Sequence, residues 1–297
     1  MGIISRMQGK SDGKIEVSIT PEATGPGGEM AVRFSILEEL DDKARTVFAG
    51  VTCTGRYKVT ERERDSDGNV RTHTVWRSVD IYEHKQPMML QHGPQEARFA
   101  LPDEAQPASD DVVIWEAWAR VDREKGIDVV ETIPFDVRVP ADRIPDTRTS
   151  DATNDGLTIT GIPAAAREGD TLRGTLTVNV TDGVKARAVS VRLHRRCTYV
   201  AEAINDYSLY RGDLVLSTFF WSNTSKITDD QQVAEVDVAG KTDFEPGQPQ
   251  SFEWAIDVPD SGPTSSHQYA QVDWRIEAVL DRRMRGDKAV ESPIIVV

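Results

Sequence analysis

Two antiparallel β-sandwiches in tandem are the fold class this sequence predicts, and three observations predict it. Apolar and polar residues alternate in many short runs, the period of half-buried strands. Clusters of Gly, Pro, Asn and Asp punctuate those runs, and helical periodicity is almost absent. The third observation is a duplication. From Trp115 to Val137 the chain aligns without a gap to Trp274 to Val296, at an offset of 159 (274 − 115). The identical pairs are Trp115/Trp274, Ala119/Ala278, Asp122/Asp281, Arg123/Arg282, Asp128/Asp287, Pro134/Pro293 and Val137/Val296. A parallel α/β sheet would need a dozen or more residues of crossover between strands, usually helical, and no such segments are present.

The duplication divides the 297 residues into a loose tail over 1–13, a first sandwich over 14–139, a linker over 140–156 and a second sandwich over 157–297. In the first half, Ile15, Val17 and Ile19 alternate within Lys14 to Thr20, and PEATGPGGE then turns the chain. Val32, Phe34 and Ile36 share a face of Met30 to Leu37. LEELDDKAR (37–45) carries Glu39/Lys43 and Asp41/Arg45 at helical spacing but spans little more than two turns. Val47 to Glu63 and Val70 to Tyr82 read as a long hairpin around Asp65-Ser-Asp-Gly-Asn69. PADRIPDTRTSDATNDG (140–156) has little to bury and reads as the link between domains. Strands follow at Leu157–Ile162, along Leu172, Gly174, Leu176 and Val178, at Val184–Val200 and at Gln232–Val238. Residues 201–232 read as a long connection rich in aromatics.

Composition limits the function. A formal charge of −14 repels phosphate backbones and anionic headgroups, so neither nucleic acid nor membrane is an expected partner. No apolar run reaches the roughly 18 residues that span a bilayer. MGIISRMQGKSDGK is not a secretory leader, and Arg6 stands where a myristoylation signal at Gly2 wants Ser or Thr; a cytoplasmic location is expected. Cys53 and Cys197, one in each half, read as buried thiols at equivalent strand sites, too far apart to bridge.

Catalytic and metal signatures are absent from the sequence. No nucleophile elbow, dinucleotide fingerprint or phosphate-binding loop occurs. Asp65-Ser-Asp-Gly-Asn69 opens like a calcium loop, but its Gly comes two positions early and Trp76 stands where the bidentate Glu belongs. His73, His84, His92, His194 and His267 are scattered without metal-ligand spacing. Asp122/Asp128 and Asp281/Asp287 bracket basic turns. They could hold a cation, but Asp at both ends of a polar hairpin more simply satisfies turn amides. No enzymatic activity and no cofactor are therefore expected. The best candidate for partner binding is the aromatic segment, with Tyr207, Tyr210, Arg211, Phe219, Phe220 and Trp221, because Tyr, Trp and Arg dominate interface hot spots. The alternative is that Trp221 mirrors Trp76 as a packed hairpin residue.

Several stretches, in order, resemble the arrestin family. Arg167 to Val180, REGDTLRGTLTVNV, is similar to that family's acidic turn and opening strand, and VKARAVSVRLHRRCTY to the strand that follows. Pro246 to Arg282 resembles its succession of Pro-Gly turn, strand, Pro-Ser/Thr turn and aromatic-led strand; residues 92–123 repeat that succession. GPGGEMAVRFSI keeps the Gly-Glu but lacks the second glycine. The family's adaptor-binding tail and receptor-phosphate-binding Lys pair have no counterpart here. The resemblance implies tandem arrestin-like sandwiches and a cytoplasmic adaptor or scaffold binding another protein through sheet edges, the interdomain cleft or the aromatic segment. Two other readings stand beside it: a subunit of a larger assembly, through self-association, and a sugar- or metal-binding module with an acidic cleft.

Overall fold

The computed structural model describes residues 9–10, 14–20, 23–37, 44–64, 70–109, 112–124, 127–139, 151–203, 223–282 and 285–297. Among them there is no helix, and hence none long and apolar enough to cross a membrane. The first half runs β1 (Gly9–Lys10), β2 (Ile15–Thr20), β3 (Ala23–Thr24), β4 (Glu29–Ile36), β5 (Ala44–Arg64), β6 (Val70–Met88), β7 (Gly93–Ala100), β8 (Val113–Arg123), β9 (Val129–Pro134) and β10 (Asp136–Val137). The second half begins with β11 (Ala152–Asn154), β12 (Leu157–Thr160), β13 (Ala165–Ala166), β14 (Thr171–Val178) and β15 (Val184–Ala203). It continues with β16 (Asn223–Ala239), β17 (Thr242–Phe244), β18 (Gln250–Asp257), β19 (Ser265–His267), β20 (Ala270–Arg282) and β21 (Lys288–Val296).

Every strand pairing among the described residues lies within one half. The first half has a sheet ordered β1-β9-β8-β5-β6 and a smaller one ordered β2-β4-β7; the second has β13-β21-β20-β15-β16 and β11-β12-β14-β18. The larger sheets share one topology, and the duplication is kept in register. Glu116 faces Pro134 and Val121 faces Val129; 159 residues on, Arg275 faces Pro293 and Leu280 faces Lys288. The pairings are antiparallel except for three two-residue ladders, β1–β9, β10–β3 and β13–β21.

Alternation buries one face of each sheet. In β4 the buried residues are Met30, Val32, Phe34 and Ile36; in β20 they include Val272, Trp274, Ile276, Ala278 and Leu280. Burial of such side chains removes roughly 1.5–3 kcal/mol of exposure cost apiece. Trp115 and Trp274 are among the largest fully buried side chains. Each donates its indole N–H to a carbonyl of the turn before its strand, Gln106 O at 2.9 Å and Gly262 O at 3.2 Å, which satisfies the one polar atom that burial would penalise.

Several sequence expectations change at their edges. Gly9–Lys10, within the expected tail, pairs with Val129–Val130, and Ala152–Asn154, within the expected linker, pairs with Leu157–Ile159. The helical spacing at 37–45 falls mostly outside the described residues, and both its ends are extended or part of a strand. The connection expected over 201–232 is shorter: 201–203 and 223–232 belong to the β15–β16 hairpin, with Ala203 opposite Asn223. NTSKITDDQ gives no clean alternation because it forms an edge strand whose order comes from backbone pairing with β15 rather than from a buried stripe.

Candidate functional site: the seam between the halves

The site grows from β5 and β15, equivalent strands that overrun their own sheets. Pairing of β8 to β5 ends at Val113–Gly55, while β5 and β6 continue together to Arg64–Val70. Pairing of β20 to β15 ends at Ala270–Tyr199, while β15 and β16 continue to Ala203–Asn223. The overrun of β5 and β6, with Tyr57, Lys58 and Trp76, meets the end of the β15–β20 ladder and its flank, with Tyr199, Tyr269 and Asp229.

Cross-strand partners identify which residues correspond. Cys53 stands opposite Trp115, and Arg195 opposite Trp274. The counterpart of Cys53 is therefore Arg195, and Cys197, opposite Val272, corresponds to Gly55, opposite Val113. The two cysteines do not occupy equivalent sites, a correction to the sequence reading, because the match of C-T-x-x-Y with C-T-Y is out of phase by one pleat repeat. Both are buried thiols outside any disulfide, and burial pushes the Cys53 thiol up to about 12, well out of the reactive range.

Buried Arg195 reaches across the seam. Its Nη2 donates to Ser109 Oγ at 3.3 Å and its Nη1 to Cys197 Sγ at 3.1 Å. Beside it, buried Ser265 donates to Pro107 O at 2.9 Å, and Ser266 N donates to Gln106 Oε1 at 3.3 Å. His267 Nε2 lies 3.1 Å from Arg56 O. Tyr57 and Tyr269 bring their ring centroids to 4.8 Å, Trp76 stands edge-on to buried Tyr199 at 5.6 Å, and Lys58 pairs with Asp229. The Arg56 guanidinium lies 4.6 Å from the Trp76 ring centroid, a cation–π contact. Trp76 is thus a seam residue, 40% exposed, rather than a core one.

A cavity of about 520 Å³ opens at the seam, lined by Asp136, Arg138, Glu168, Arg195 and Asp260 among others. Burial pushes the Glu168 carboxyl above its ordinary range, against the lowering pull of the Gly262 N–H that donates to it at 2.8 Å. On β15, β16 and β20 a second group of charges pairs among itself. Asp230 accepts from Arg196 and Arg275 at 2.9 and 2.8 Å, and His194 lies between Asp230 and Glu277. Burial pushes Asp230 up, but those two guanidinium donors outweigh it and hold its pKa below the ordinary value.

Tyr207, Tyr210, Arg211, Phe219, Phe220 and Trp221 lie outside the described residues, as does Asp65 to Asn69. The paired aspartates serve their turns: Asp128 Oδ1 accepts from Arg123 N and Asp287 Oδ1 from Arg282 N, each at 3.0 Å. Among the described residues no group of His, Cys, Asp and Glu is arranged to hold a metal ion. Arg195 and His267 escape sequence reasoning. Arg195 stands on the buried face of β15, in phase with Leu193 and Cys197, where a guanidinium is not expected, and the partner that receives it across the seam, Ser109, lies far off in sequence. Compared with known proteins, the chain matches no family model and no curated protein.

Proposed function

We propose that this chain is a non-enzymatic, arrestin-like scaffold of two tandem β-sandwich modules that binds a protein partner in the cytoplasm. The observation that carries the reading is a pair of long edge strands. β6 and β16, 19 and 17 residues long, each end the order of a large sheet. Strands of that length leave a row of amides and carbonyls facing outward, the template that an extended segment of another protein pairs with. The absence of nucleophile, dinucleotide and phosphate-binding motifs from the sequence agrees with a role in binding rather than catalysis. Tyr207, Tyr210, Arg211, Phe219, Phe220 and Trp221, in the segment that joins β15 to β16, remain the candidate side-chain contacts.

The reading is tested at the β6 edge. Neighbouring amides in a strand point to opposite sides, so of Thr74→Pro and Val75→Pro one removes an outward donor and spares the ladder to β5. That variant should keep the wild-type melting temperature and lose proteins that wild type retains from a native lysate. Equal retention by both stable proteins would remove the edge from the proposal. Retention of further copies of the chain alone would favour the assembly reading.

A further inference from the structure

We infer that His267 is a pH-sensitive latch between the two halves, holding the seam closed while its ring is neutral and loosening it on protonation. Donor chemistry fixes the tautomer. The Tyr269 backbone N–H can only donate, and it lies 3.3 Å from His267 Nδ1; the Arg56 carbonyl can only accept, and it lies 3.1 Å from Nε2. Nδ1 is therefore bare and Nε2 carries the proton. The ring joins its own strand, β19, to β5 of the other half. A proton on Nδ1 would face the Tyr269 N–H, destroy that bond and bring a charge into the seam.

The surroundings offer that charge little beyond the Arg56 carbonyl. From β5 come Gly55, whose Cβ position is 2.9 Å from the ring, the Arg56 carbonyl and the Tyr57 ring at 6.4 Å; beside β20 comes the Tyr269 ring at 6.5 Å. The charged groups nearest along β5 are Arg56, over Trp76, and Lys58, paired with Asp229. Among the described residues no carboxylate contributes to the His267 titration; burial lowers it below the ordinary 6.5, and the Arg56 carbonyl only partly opposes this. The sign follows. Above 6.5 the ring is neutral whether the seam is closed or open, and the latch is whole. As pH falls below 6.5 the open form takes up the proton first, so closure weakens until the closed form's own lower pKa is passed.

Two measurements test this. The His267 ring carbons, followed by NMR, should titrate below 6.5, and hydrogen-exchange protection of the Tyr269 amide, corrected for intrinsic rate, should fall between pH 7.5 and 5.5, by at most about tenfold. In His267→Gln, which cannot ionise, that fall should vanish. A ring titrating at or above 6.5, or the same loss of protection in His267→Gln, overturns the latch. Gly55→Ala is the second variant: its methyl displaces the ring, so the His267 titration should move up toward 6.5, and an unmoved titration counts equally against the proposal.

Discussion

Glu168 lies at the wall of the seam cavity, where burial raises its pKa. A raised carboxyl means that the ionised form is penalised in the fold. The penalty is absent below the ordinary 4.5, where both states are protonated, and grows as pH rises through the folded-state pKa. Glu168→Gln keeps an oxygen for the Gly262 N–H and cannot ionise. It should unfold at a higher urea midpoint than wild type at pH 7, with the gain shrinking to nothing at pH 4.5; an equal or lower midpoint at pH 7 would show that Arg138 and Gly262 outweigh burial. Residues whose setting is local were legible in the sequence: Trp115 and Trp274 declared themselves scaffold by recurring. Glu168, Arg195 and His267 were not, because their surroundings are made by residues far along the chain.

The unit of construction is the duplicated β8–β9 and β20–β21 hairpin, whose register survives at the same offset as the sequence. Its polar turn is fixed by an aspartate accepting from the amide of the strand's last residue, Asp128 from Arg123 in one half and Asp287 from Arg282 in the other. Removing such an acceptor costs about 1 kcal/mol. Asp128→Ala and Asp287→Ala should each lose close to that in urea unfolding, with no dependence on added divalent ions; a metal-dependent loss would revive the cation reading. Elements with a buried face were readable from alternation. The distal parts of β5, β6, β15 and β16 were less so, because past the sheet they lose that alternation and backbone pairing within each hairpin extends them.

At the scale of the molecule, every strand among the described residues finds its partner inside its own half, while side chains join the halves. Residues 1–150 and 151–297 made separately should each show strand-rich circular dichroism, and mixed they should elute as a one-to-one complex. Failure to associate would mean that the covalent link, rather than the seam, keeps the halves together. The duplication itself could be read from the sequence. That the β5–β6 overrun leans on the end of the β15–β20 ladder could not, since nothing in a repeat specifies how its copies dock.

Around Arg195 and β19 the seam hydrogen bonds share a direction. Arg195, Ser265, Ser266 and His267 of the second half donate there, and Ser109, Pro107, Gln106 and Arg56 of the first accept, while Lys58 of the first half donates to Asp229 of the second further along. Two first halves brought together on this surface would set acceptor against acceptor, and two second halves donor against donor, with the Arg195 guanidinium buried opposite its own copy. Duplicated domains invite mispairing between like units on neighbouring chains during synthesis, and unlike docking surfaces on otherwise similar modules suppress it. The exchange of a thiol for a guanidinium at one strand position helps to give the tandem an order that cannot be reversed or shared.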